Sequence, residues 1–252
     1  MMKNLETYRA VIAISGLSGS GKSTYANALE ELLPFKKIGH DEFSLICPDV
    51  QVQFARCLKD AVSAIFRLSS GEVESQEAKA RPRVFTLTVH HQLDILRIFG
   101  ASDSTIATAI VTVQSQTFPN LRSVLQWVGT DFLQTWLGKE VHAQALLSHL
   151  SRARSDFHDV VIVTDMRFAH ELASLRAAFG DRLIHVHIVR DDQEVPDVKA
   201  LHVSEHWCAN LRARSCEADW VFFNNGFDMK SLYTDIMQML IARCLHWPSR
   251  LV

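Results

Sequence analysis

Ala10-Val11-Ile12-Ala13-Ile14-Ser15, running without a break into Gly16-Leu17-Ser18-Gly19-Ser20-Gly21-Lys22-Ser23, is the stretch that decides the fold. The first part is a short apolar run with no helical gap, the pattern of a strand buried on both faces of a parallel sheet. Beyond the glycines, Tyr25, Ala26, Leu29, Leu32 and Leu33 recur at helical spacing until Pro34 stops the pattern. The order is therefore strand, glycine-rich loop, helix. The loop itself fits G-x-x-x-x-G-K-[ST], in which glycines let successive backbone N–H groups turn inward around phosphate oxygens.

The same grammar recurs downstream. Asp159 to Asp165 is a second buried-strand signature ending in a carboxylate, and Phe168, Leu172 and Leu175 begin another helical face. Leu183–Val189 and Trp220–Phe223 supply further strands, separated by a helical stretch around 206–212 and followed by one over about 229–244. Strands alternating with helices predict an α/β fold of the P-loop NTPase class, a parallel sheet with helices on both faces. Residues 57–68 read as a helix, 68–83 as a polar connection and 121–150 as two or three helices. Residues 84–118 read as an insertion of helical character. The simplest organisation is one compact catalytic domain over 1–252 with that insert.

Charge narrows the function classes. Lys and Arg number 26 against 28 Asp and Glu, so no domain-wide basic field exists to hold a nucleic-acid polymer. Five cysteines without a C-x-x-C pair read as reduced thiols. No run approaches the ~18 apolar residues of a membrane helix, and Val11–Ile14 is too short for a signal-peptide core. A cytoplasmic enzyme with no membrane partner is the expectation.

In the loop, Gly16, Ser18, Gly19, Ser20, Gly21, Lys22, Ser23 and Thr24 are the candidate ATP contacts. Lys22 offers a mobile cation to the β- and γ-phosphates and the Ser23 hydroxyl is placed for Mg²⁺. Asp165, at the carboxyl end of a buried strand, can face the loop across the sheet and hold Mg²⁺ through water; the alternative role is an N-cap for the next helix. Arg167 offers a guanidinium fork for phosphate oxygens, with a surface salt bridge as its alternative. Glu171, four residues later, stands where a helical pair would hold that fork in place.

Asp165-Met166-Arg167-Phe168-Ala169-His170-Glu171 resembles the D-x-R-F-x-N-E segment of phage-type deoxynucleoside monophosphate kinases, with His170 where Asn is usual. Phe54 to Lys59 is similar to that family's F-A-x-P-L-K turn, with Cys57 in place of Pro. Arg122 to Thr130 resembles its R-x-x-L-Q-x-x-G-T helix. Arg190 follows a strand as the family's Arg does, His202 to Glu205 matches H-x-S-E, and Asp219 to Gly226 resembles the strand ending in N-x-G. The blocks keep the family's order from about residue 10 to 240, leaving out 31–50 and 84–118.

The resemblance implies transfer of the γ-phosphoryl of ATP, with Mg²⁺, to a deoxynucleoside monophosphate. It implies catalytic roles for Lys22, Arg122, Asp165, Arg167 and Arg190, and an acceptor side lined by Lys59, Arg122, Gln126, Gly129, Thr130, Asp165, Arg167 and Glu171. The loop after Arg190, about 191–212, would close as a lid of the single kinase domain that the resemblance implies. Gln134 and His142 stand where the family often has Arg and Trp. A homodimer is compatible with this reading. The rivals are another small-molecule kinase on the same scaffold, such as an animal-type phosphomevalonate kinase, and a non-catalytic nucleotide-binding protein. His202, His206 and Cys208 have spacing that metal ligands could use, but no paired cysteine motif supports zinc. His90, His91, His185 and His187 have no partner pattern and read as strand or surface positions.

Overall fold

The computed structural model describes residues 5–33, 50–152, 160–190, 203–213, 217–226 and 228–243. In chain order the principal elements are β1 (Ala10–Ser15), α1 (Lys22–Leu32), β2 (Gln51–Val52), α2 (Arg56–Phe66), α3 (Ser70–Glu74), α4 (Gln76–Ala80), β3 (Phe85–Leu87), α5 (Val89–Ile98) and α6 (Asp103–Thr112). They continue with β4 (Gln116–Phe118), α7 (Leu121–Gln126), a π-helical turn (Trp127–Phe132), α8 (Leu133–Leu137) and α9 (Val141–Arg152). The last are β5 (Val160–Met166), α10 (Ala169–Phe179), β6 (Leu183–Val189), α11 (Val203–Ala213), β7 (Trp220–Phe223) and α12 (Met229–Ala242).

The described residues cluster in two compact units, one from residues up to Gln53 together with those from Leu147 onward, the other Phe54–Leu146. The first unit is built on a five-stranded sheet in the order β2-β5-β1-β6-β7, every pairing parallel. Side chains alternate across it as the pleat requires. Ile12, Ile14, Ile184, Val186 and Ile188 share a core with Tyr25 and Leu29 of α1 and Ile236 and Met239 of α12. The residues between them face the other way, where α10 packs on β1 and β6 and Trp207 of α11 stacks on His185. Helices thus cover both faces, as the apolar, non-alternating strands predict.

This topology sets where an open α/β sheet takes its ligand. Because α1 leaves β1 on one face and α10 leaves β5 on the other, a crevice forms beyond the carboxyl ends of these neighbouring strands. The register shifts there: Ala13 pairs with Val163 but Ser15 with Met166, so Thr164 and Asp165 stand opposite Ile14 alone. Such a bulge re-aims side chains at the end of a strand, here Asp165.

The second unit differs from its reading in two respects. Residues 68–83 contain α3 and α4, each started by a serine: Ser69 forms a capping box with Glu72, and Ser75 accepts from Ala78 N–H. Such caps stabilise single turns that apolar periodicity does not reveal. Residues 84–118 hold α5 and α6, but β3 and β4 flank them as an antiparallel pair, so the segment is only partly helical. Leu58, Val62, Leu96, Val124, Val128 and Leu133 lie in its core.

Candidate active site

The loop between β1 and α1 is shaped by its glycines. Gly16, Gly19 and Gly21 have φ of 149°, 79° and 99°, values that side-chain-bearing residues rarely adopt. Space closes two of these positions as well. A Cβ on Gly16 would lie 2.6 Å from both the Ile188 carbonyl oxygen and Ser20 Oγ, and one on Gly21 would lie 2.5 Å from Asn224 Nδ2. Gly21 is also the N-cap of α1 and contributes no side-chain acceptor. The first-turn N–H groups of α1, with the positive end of the helix dipole, therefore suit an external anion.

Lys22 Nζ donates to the carbonyls of Gly16 (2.8 Å) and Leu17 (2.7 Å), which arches its side chain back over the loop. Ser20 N–H closes a turn onto Leu17 O at 3.1 Å. Ser18, Gly19, Ser23 and Thr24 are exposed. Two neighbouring strand ends brace the loop. Arg190, after β6, reaches Gly19 O at 3.5 Å, and Asn224, after β7, donates from Nδ2 to Ser20 O at 2.9 Å. Asn224 lies in the N-x-G block, but its spacing alone carried no role; only the sheet order shows that it touches the loop.

Asp165 is half-buried at the end of β5, and Arg167 is exposed just beyond it. Asp165 does not cap α10, because the N-cap is Phe168. The expected helical pairing of Arg167 with Glu171 is also replaced. Arg167 precedes the helix, and Glu171 Oε2 accepts the backbone N–H groups of Arg167 at 2.7 Å and Phe168 at 3.0 Å. Glu171 is buried. Burial pushes its carboxyl up to about 8, while the two N–H donors pull the other way and the nearby Asp165 adds to the rise. Glu171 thus sets the backbone on which Arg167 is mounted rather than the guanidinium itself.

Magnesium accepts one or two protein oxygens and keeps the rest of its octahedron for water and phosphate. The Ser23 hydroxyl in the first turn of α1 and the Asp165 carboxylate beside β1 are donors of that hard type, so the residues fit the ion. No cluster of three or more His, Cys, Asp or Glu able to hold a metal occurs among the described residues. Cys208 is buried, and its thiol donates to Met166 O at 3.9 Å; His202 lies outside the described residues, as do 191–201 of the lid region.

Of the residues expected on the acceptor side, Asp165, Arg167 and Glu171 belong to the first unit, and Lys59, Arg122, Gln126, Gly129 and Thr130 to the second. Lys59 is largely buried and pairs with Glu74 at 2.7 Å. Arg122 and Gln126, exposed one turn apart on α7, share a face, and Arg122 donates to Gln76 Oε1 at 2.9 Å. Gly129 and Thr130 lie in the π-helical turn. Wide turns of this type concentrate at functional sites, and periodicity cannot forecast them. Two contacts define this one: a Cβ on Gly129 would approach Leu58 Cδ2 to 2.8 Å, and His142 Nε2 lies 2.8 Å from Gly129 O. His142, which departs from the resembled pattern, is a support of that turn.

The sequence model of the deoxynucleotide monophosphate kinase family matches residues 65–236. The chain belongs to the deoxynucleotide monophosphate kinase family. The match covers about two thirds of the chain and starts well after Ser23, so the glycine-rich loop and family membership are separate observations that agree. No curated protein matches the chain. Membership makes this a kinase family member with a nucleotide as its substrate class. Among the described residues no helix is long and apolar enough to cross a membrane.

Proposed function

We propose that this deoxynucleotide monophosphate kinase family member transfers the γ-phosphoryl of ATP to a deoxynucleoside 5′-monophosphate, yielding ADP and the deoxynucleoside diphosphate. The observation that carries the reading is the Gly16–Ser23 loop, whose three left-handed glycines and uncapped helix start sit at the crevice between β1 and β5.

The β- and γ-phosphates take the loop N–H groups, and Lys22 exchanges its carbonyl partners for phosphate oxygens. Bound Mg²⁺, held by Ser23 and Asp165, would supply positive charge against the phosphates. An acceptor phosphate oxygen then attacks the γ-phosphorus in line, and the bond to the β,γ-bridging oxygen breaks with its electron pair leaving on ADP. The acceptor is already an anion at neutral pH, so positioning and cationic charge are what the chain must provide. Lys22, Arg167 and Arg190 supply that charge in the first unit. Arg122, with Lys59, Gln126, Gly129 and Thr130, is assigned to the acceptor nucleotide, and Glu171 to the mounting of Arg167. We assign all of 1–252 to one kinase domain acting in the cytoplasm, with 191–212 as its lid and a homodimer as a compatible assembly. A coupled assay of ADP release with ATP, Mg²⁺ and each of the four common dNMPs tests the reading; turnover that is independent of any monophosphate would overturn it.

A further inference from the structure

Directly beneath the loop, two buried histidines share one hydroxyl. Ser15 Oγ, on the last residue of β1, lies 2.8 Å from His185 Nε2 and 2.8 Å from His187 Nδ1. All three side chains are at most 1% exposed. A hydroxyl has one proton, so Ser15 donates to one ring and accepts from the other. The direction follows from the far end of the chain. His185 Nδ1 is buried with no partner, and a bare ring lone pair there costs less than an orphaned N–H. His185 therefore carries its proton on Nε2 and donates to Ser15, Ser15 donates to His187 Nδ1, and His187 keeps its proton on Nε2.

His187 borders the loop. His187 lines a cavity of about 10 Å³ together with Leu17, Ser20 and Arg190, a volume that suits one water molecule. Ser20 Oγ is buried in the same wall and has no hydrogen-bond partner. At the other end, the His185 ring stacks on Trp207 of α11 at 5.7 Å, while Leu17 of the loop packs against Cys208 and Ala209 of that helix. The orientation of His185 and the seat of the loop are thus set by one helix.

We propose that Ser15, His185 and His187 form a positioning network for the nucleotide-binding loop, completed by one water that joins His187 Nε2–H to Ser20 Oγ. The network rests on the reading that this loop binds ATP. It fixes the peptide at the Ser15–Gly16 junction and the side chain of Ser20, so the loop is held in its binding shape before the nucleotide arrives. Preorganisation of this kind appears in affinity, because ordering that is already present need not be supplied on binding.

The test measures the ATP dissociation constant at pH 7.5 by calorimetry, with thermal melting in parallel, for wild type, Ser15→Ala and Val186→Ala. Val186 is fully buried on β6, between the two histidines, but faces α1 and α12, so its alanine variant reports loss of core packing alone. Ser15→Ala is expected to weaken ATP at least fivefold, while Val186→Ala stays within twofold of wild type. Equal affinities for Ser15→Ala and wild type, or equal weakening by both variants, overturn the network. If Ser15→Ala does not fold, His187→Phe is compared with His187→Asn, whose side-chain oxygen can take the place of Nδ1. Weakening by Phe that Asn reverses supports the network, and indistinguishable affinities overturn it. Wild type that binds no ATP sinks the reading of the loop itself, which separates the two failures.

Discussion

Glu171 accepts the backbone N–H of Arg167 at 2.7 Å, so a buried carboxyl group, not a helical salt bridge, sets where the arginine starts. Replacing Glu171 with Ala removes the acceptor for two N–H groups at the start of α10 and should cost about 1 kcal/mol or more in stability, the scale of a lost cap. Glu171→Gln keeps an oxygen acceptor and should be milder at pH 7. The carboxyl is raised above its unfolded value to about 8. Its contribution is therefore full below about pH 4.5 and lost as pH rises through about 8. Melting curves from pH 5 to 8.5 should show a smaller decline for Glu171→Gln than for wild type; parallel declines would rule this account out.

Arg167 itself tests geometry apart from charge. Arg167→Lys keeps the positive charge and loses the planar fork, and should lower kcat/KM by about 2 kcal/mol, roughly thirtyfold, with Arg167→Ala worse. Because the residue is exposed, neither change should move the melting temperature appreciably. Kinetics for Arg167→Lys matching wild type with every dNMP would return the residue to a surface role.

Lys22 is half-buried at the start of α1, outside the apolar core, and its Nζ donates to carbonyls of its own loop, so Lys22→Ala should leave the fold intact. Turnover should drop about 100-fold or more, mainly in kcat, as for removal of one preorganised charge-stabilising donor. Activity within a fewfold of wild type would mean that this loop does not hold the transferring phosphates.

Gly21 tests the loop's shape. At φ 99° any side chain is strained by roughly 1–2 kcal/mol, and here a Cβ would also meet Asn224 Nδ2 at 2.5 Å. Gly21→Ala should weaken ATP binding and break the Asn224–Ser20 bond. Asn224→Ala combined with Gly21→Ala removes the clash but keeps the strain, so it should recover part of the affinity, read by calorimetry. No recovery would show that the clash with Asn224 is immaterial.

The buried histidines give stability a second pH dependence. Burial holds His185 down at about 3, aided by His187 and Arg176 and opposed by Asp219; burial and then Lys22 hold His187 at about 4. Both folded values lie below the unfolded value, so their contribution is complete above about pH 6.5 and is lost progressively as pH falls towards 4 and 3. Acid titration of the melting temperature should flatten between pH 6.5 and 4 in His187→Asn relative to wild type. An unchanged slope would show that His187 protonates freely in the folded protein.

Local sequence determined the elements whose signals are short in range. The run Ala10–Ser15 and the glycines after it name a buried strand and a phosphate-shaped loop, because both depend on residue types within about a dozen positions. The same holds for β6, β7 and α12, which lie within two residues of where periodicity puts them. Capped single turns such as α3 and α4 lack enough apolar positions to show a period, and the π-helical turn at Trp127–Phe132 breaks the period that reveals helices. Tertiary structure decided the rest of the site. That Asn224 and Arg190 brace the loop follows from β6 and β7 lying beside β1, contacts between residues 171 or more positions apart. His185 and His187 became more than strand residues only when parallel pairing brought Ser15 between them. Hydrogen bonds across a sheet depend on register, and register is set by the packing of whole faces rather than by any one segment.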